Sequence, residues 1–196
     1  MTTIDQSNTS LSFSQLAGLV APDNLKVFRL SNVEITGDDD DAFDFSRAIR
    51  GHPTLEEVHF TNITFKEQGV NLDQIVEMML VSCHELHHLK LDNVPVRARS
   101  CSTLAYCESL TTLALPNNKF NDVDAKLIAD SVESNESITS VDLSGNCISD
   151  IGCKSLRLCL EKNSVIQEIS LAGNSISGAE SNMLETKLHA RVAQAA

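Results

Sequence analysis

Leu110-Thr111-Thr112-Leu113-Ala114-Leu115-Pro116-Asn117-Asn118-Lys119-Phe120 spaces its apolar side chains as LxxLxLxxNxL, with phenylalanine in the last place. Leu113 and Leu115 flank a single residue, the period of a strand with one buried face. The frame recurs with starts at Leu25, Leu55, Leu86, Leu110, Ile138 and Ile166, successive starts lying 24 to 31 residues apart. The last two copies read Ile138, Val141, Leu143, Asn146, Ile148 and Ile166, Ile169, Leu171, Asn174, Ile176. A unit repeated at this period marks a solenoid, in which each unit buries its apolar side against the next.

Working outward, most units leave room for a helix after the strand. Beyond Phe120, Asp122 is placed to cap a helix whose stripe is Leu127, Ile128 and Val132, with small Ala125 and Ala129 between. The next unit repeats the plan with Asp150 as cap and Leu156, Cys159 and Leu160 inward. In the second unit Ile75, Val76, Met79, Leu80 and Cys83 recur at helical spacing. The third unit is short, with a helix candidate over 97–107. Ser10 to Val20 is expected to form a short helix ahead of the first strand, ended by Pro22. The organisation expected is a tail and capping helix over 1–24, repeats over 25–177, and a last helix and tail over 178–196.

These residues resemble the ribonuclease-inhibitor-like class of leucine-rich repeats, over roughly residues 25 to 190. The resemblance implies an α/β solenoid of six repeats, a horseshoe arc with a parallel sheet on the concave side and helices on the convex side. It also implies a ladder of buried asparagines at the turn after each strand. Asn118, Asn146 and Asn174 fit that ladder. In the first three repeats the position holds Val33, Ile63 and Val94, with asparagine one residue earlier at Asn32, Asn62 and Asn93. The ladder is therefore expected only in the last three repeats, and the first half must satisfy its turn backbone otherwise.

Composition narrows the function. Formal net charge is -12, which disfavours nucleic acid and anionic membrane surfaces, both of which need lysine and arginine. Hydrophobic residues make up 42% of the chain and aromatics are scarce, so the core is expected to be leucine, isoleucine and valine. Met1 to Gln6 carries neither a basic start nor an apolar run, and no stretch is long enough to span a bilayer. An intracellular, cytoplasmic location follows as the expectation. Cys83, Cys101, Cys107, Cys147, Cys153 and Cys159 show no CxxC pairing and are expected to be free thiols.

Chemistry-bearing residues are few. His59, His84, His87 and His88, with Cys83 and Glu57, divide between a helix end and the sheet and lack tetrahedral spacing. Asp38 to Asp41 lacks the spaced carboxylates of a calcium loop and fits the start of a helix over 42–50. No nucleophile elbow, phosphate loop or dinucleotide fingerprint occurs. No metal, no cofactor and no catalytic residue is expected.

The residues between the repeat leucines should line the concave face. One column reads Val27, Glu57, His88, Thr112, Ser140, Glu168. The other reads Arg29, His59, Lys90, Ala114, Asp142, Ser170. Arg29-His59-Lys90 makes a basic strip in an acidic chain, suited to an acidic or phosphorylated protein segment. The expected function is a non-enzymatic protein-interaction module that binds through Arg29, Glu57, His59, His88, Lys90, Asp142 and Glu168. The alternative is a regulator of an enzyme, such as a small-GTPase activator or an enzyme inhibitor. The last strand, near Glu168, should leave an open edge. Residues 178–196 as a makeshift cap, self-association through that edge, and continuation in a longer array all fit the sequence.

Overall fold

The computed structural model describes residues 2–195. Seven strands lie side by side in chain order, and every pairing is parallel. They are β1 (Thr2–Ser12), β2 (Leu25–Thr36), β3 (Glu57–Phe65), β4 (His88–Asp92), β5 (Thr112–Ala114), β6 (Ser140–Asp142) and β7 (Glu168–Ser170). Parallel neighbours require a crossover, and helices supply it: α1 (Phe13–Val20), α2 (Asp39–Ile49), α3 (Asp73–Ser82), a 3-10 helix (Ala98–Tyr106), α4 (Asp122–Val132) and α5 (Asp150–Cys159), with α6 (Gly178–Ala195) following the last strand. The result is a leucine-rich-repeat solenoid with the sheet on the concave side and the helices on the convex side.

The repeat leucines and their substitutes form one continuous core between these layers. Its composition is less uniform than the sequence suggests. Phe13, Phe28, Phe45 and Phe60 are among the largest fully buried side chains. Phe28 meets Phe60 edge-on at 5.5 Å and Phe13 stacks on Phe65 at 5.8 Å. Buried phenylalanines concentrate in the first three units, and Phe120 adds one further along. On α4, Ile128, Val132, Ala125 and Ala129 are buried, but Leu127 is 43% exposed and lies outside the stripe assigned to it.

The sheet has one strand more than the six expected. β1 occupies most of the segment read as a tail, in register with β2 from Thr3↔Val27 to Ser12↔Thr36. Ile4, Asn8 and Leu11 hold the frame, but Gln6 stands where the other copies have a leucine-like residue, opposite Leu30. That substitution hides the copy.

The asparagines one place before the ladder position serve a separate purpose. Asn8, Asn32, Asn62, Asn93 and Asn117 all have φ between 51° and 60°, and Gly145 and Gly173 hold the same place at 65° and 74°. This position needs the left-handed conformation, which glycine and asparagine adopt at least cost. Along the first four strands the exposed amides form a ladder of their own. Asn32 donates to Asn8 at 3.0 Å, Asn62 to Asn32 at 2.9 Å and Asn93 to Asn62 at 2.8 Å. The next position carries the inner ladder, as expected, at Asn118, Asn146 and Asn174, of which Asn146 is buried and the other two are half-buried. Asn146 accepts from the N–H groups of Asn118 and Phe120 and donates to the carbonyls of Leu115 and Leu143. Where the chain has Val33 and Ile63 instead, β2 and β3 run on past the corner and pair there, at Val33↔Ile63 to Ile35↔Phe65. The extended strands satisfy the backbone that the missing amides would have served.

Two further ladders tie the units together. Asp122 and Asp150 are the first residues of their helices rather than the caps, which are Asn121 and Ser149. Asp122 reaches across to the next helix and accepts from Ser149 N–H, the Ser149 hydroxyl and Gly152 N–H. Asp73 holds Arg97 N–H in the same way, and Asp150 holds Ser177 N–H. Asp38 does cap α2 within its own acidic run, accepting from Asp40 and Asp41 N–H. On the returning side, Asn135 donates to the carbonyls of Leu104 and Cys107, and Asn163 to those of Val132 and Asn135. Arg191 takes the next rung, donating to the carbonyls of Leu160, Asn163 and Ile166.

Candidate functional site

The register places both expected columns on one face. Val27, Glu57, His88, Thr112, Ser140 and Glu168 are direct neighbours in turn, as are Arg29, His59, Lys90, Ala114, Asp142 and Ser170. Adjacent members lie one strand spacing apart, about 4.8 Å. The columns are not uniformly open. Val27 is 1% exposed, closed off between Thr3 of β1 and Glu57 of β3.

At the centre, Glu57, His59, His88, Leu89, Lys90, Thr112 and Ala114 line a shallow groove of about 330 Å³. Four of the residues expected to bind a partner, Glu57, His59, His88 and Lys90, meet there. Arg29 flanks the groove through its bonds to Glu57 and His59. Asp142 is in register with Ala114 at the far rim, and its carboxylate is turned to Ser144 N–H at 2.8 Å. Glu168 lies a further strand away and accepts from the Ser140 hydroxyl at 3.2 Å. The groove therefore gathers the divergent half and leaves Glu168 apart.

The charge on this face differs from the bare strip of the sequence. Arg29 Nη2 donates to Glu57 Oε2 at 3.0 Å, and its Nε donates to His59 Nδ1 at 3.3 Å. Lys90 Nζ lies 3.2 Å from Asp92 Oδ2, and Asp5 of β1 is in register with Arg29. Each cation of the strip thus has an acid beside it. Burial, then the Arg29 charge, hold the His59 pKa below 6.5 against the opposing pull of Glu57. A neutral imidazole is the form that can accept from Arg29. The face is a network of donors and acceptors in which carboxylates outnumber cations. Asp5 and Asp92 were missed because one lay in the hidden first copy and the other lay one pleat beyond the two columns.

The remaining candidates have structural roles or stand apart. Among the described residues no group of three or more histidine, cysteine, aspartate or glutamate side chains is placed to hold a metal ion. All six cysteines are free thiols, and only Cys147 is exposed. Burial pushes the Cys101 thiol up to about 12, and those of Cys153 and Cys159 up to about 11, the opposite of nucleophile activation. Among the described residues no helix is long and apolar enough to cross a membrane.

Comparison with known proteins agrees with this architecture. A family model described as Leucine Rich repeat matches residues 134–156. Among solved structures, an internalin from Listeria monocytogenes superposes with a TM-score of 0.54 at 16% identity, over 90% of this chain and 45% of its own. Leiomodin-1 actin-binding site 2 gives 0.42 at 23% identity, over 46% of this chain and 53% of its own. The matches thus span about half the length of either structure. No curated protein matches. The architecture is a leucine-rich-repeat fold, and the family model matches one repeat of it.

Proposed function

We propose that this protein is a non-enzymatic interaction module of the ribonuclease-inhibitor-like class, working in the cytoplasm, and that it holds a protein segment in its concave groove. The observation that carries this reading is the convergence of Glu57, His59, His88 and Lys90 with Thr112 and Ala114 on one shallow surface. Rigid strands position these side chains, so little ordering entropy remains to be lost on binding. Arg29 and Asp142 extend the surface to either side, and Glu168 marks its far limit.

An acidic or phosphorylated segment fits in a restricted sense. Lys90 and Arg29 already have carboxylate partners, so an incoming acid has to exchange with Glu57 or Asp92 rather than meet a bare cation. Such an exchange gives orientation more than affinity. His88 is exposed and offers a hydrogen-bonding edge that needs no displacement.

Photo-crosslinking tests the proposal. With p-benzoylphenylalanine at position 114, a cell extract should yield a discrete crosslinked partner that competes with unlabelled protein. The same probe at position 127, on the exposed side of α4, should not yield it. The same partner at both positions, or at 127 alone, would refute a concave site.

A further inference from the structure

The corner sheet made by the extended strands stops abruptly. Beyond Asn62, β3 pairs with β2 through Phe65, but its pairing with β4 ends at Thr61↔Asp92. Residues 94–96, which would continue β4, are committed elsewhere. Val94 N–H donates to Asn118 Oδ1, Pro95 has no N–H, the Pro95 carbonyl accepts from Leu72 N–H, and Val96 N–H turns back to the Val94 carbonyl. The outer edge of Ile63–Phe65 therefore has no strand beside it. Lys66 N–H donates to the Ile35 carbonyl, so strand alternation turns the backbone groups of Ile63 and Phe65 the other way, toward the gap.

The gap is a groove of about 490 Å³ on the rim of the arc, distinct from the concave groove. Val70, Val94 and Val96 form its apolar floor, and Lys119 stands on the opposite wall from β3. Lys119 is exposed and has no ion-pair partner among the described residues. Glu67 also lines the groove, but its carboxylate accepts from Gly37 N–H at 2.9 Å.

We propose that this rim groove binds an extended acidic peptide, which adds as a strand to the open edge of β3. Main-chain bonds to Ile63 and Phe65 hold the peptide. An apolar side chain enters the valine floor, and a neighbouring carboxylate pairs with Lys119. The free strand edge calls for an extended backbone, and the unpaired Lys119 selects the charge.

The probe is an end-capped heptapeptide, Ser-Val-Glu-Val-Glu-Val-Ser, titrated to millimolar concentration against isotope-labelled protein by amide NMR. Shifts should concentrate at Ile63, Phe65, Val94 and Lys119, and the Phe65 amide should exchange more slowly when the peptide is bound. A peptide with lysine for both glutamates, or the Lys119→Glu variant, should weaken binding by about fivefold or more. Because Lys119 is an exposed side chain, that variant should keep an unchanged spectrum elsewhere. Shifts confined to Glu57, His59, His88 and Lys90 would overturn the rim site while leaving the concave reading intact. No shift at millimolar peptide, or equal binding of both peptides, would also overturn it.

Discussion

Adjacent positions in the repeat use asparagine for two unrelated reasons. Asn146 is buried at 6% exposure and joins backbone groups of two neighbouring units, so its amide is what matters. Asn62 is exposed, and the backbone φ of 52° matters more than its amide bonds. Asn62→Ala should therefore cost about 1–2 kcal/mol, the penalty for an L side chain in the left-handed region, and Asn62→Gly clearly less. Urea unfolding of the two variants checks this, and a costlier glycine would place the weight on the amide instead. His59 makes a pH-dependent contribution. Its folded pKa lies below the ordinary 6.5, chiefly through burial, so the unfolded chain takes the proton first. Its contribution is complete above pH 6.5 and is lost as the pH falls below that value toward the folded pKa. The unfolding midpoint of the wild type should drop more between pH 7.5 and 5.5 than that of His59→Gln. An equal drop in both would contradict a His59 pKa lowered in the folded chain.

At the scale of the element, the starts of the 3-10 helix, α5 and α6 are each held by an aspartate of the unit before. Asp122 is drawn up by burial, but the bonds from Ser149 and Gly152 outweigh that and hold its carboxyl below the usual range. Asp122→Ala should cost about 1–2 kcal/mol, as the loss of a cap does. Its local effect should appear as faster hydrogen exchange at Ser149 and Gly152, in α5, and not within α4, which Asn121 caps. Faster exchange in α4 alone would restore the simpler reading of Asp122 as its own helix's cap. The sequence shows each helix through its apolar stripe and each strand through the leucine frame. It does not show which acid serves which helix, because Asp122 and Ser149 are 27 residues apart and meet only when units stack. The concave columns were legible from alternation alone. Their charge pairing was less so, since Arg29 and Glu57 are 28 residues apart and meet only when the strands align, whereas Asp92 lies two residues beyond Lys90 on the same strand. β1 was hidden by Gln6, although the recurrence of asparagine or glycine at the corner position, Asn8 included, carried the signal.

For the whole molecule, the solenoid changes character along its length. The first units are aromatic in the core, have long strands and carry an exposed amide ladder. The last units are mostly aliphatic in the core, have short strands and carry an inner ladder. The concave groove straddles the change, with β3 and β4 on one side and β5 on the other. At the far end β7 has a strand neighbour on one side only, and Arg191 occupies the rung that an asparagine holds in the two preceding units. Binding through the groove is the central claim, and plugging it is the most direct test. Affinity for the crosslinked partner should be measured by calorimetry for Ala114→Arg, which fills the groove, and for Val123→Arg, on the exposed face of α4. The account predicts a loss of about tenfold or more for Ala114→Arg and wild-type affinity for Val123→Arg. Unchanged affinity in Ala114→Arg, with loss in Val123→Arg, would contradict it.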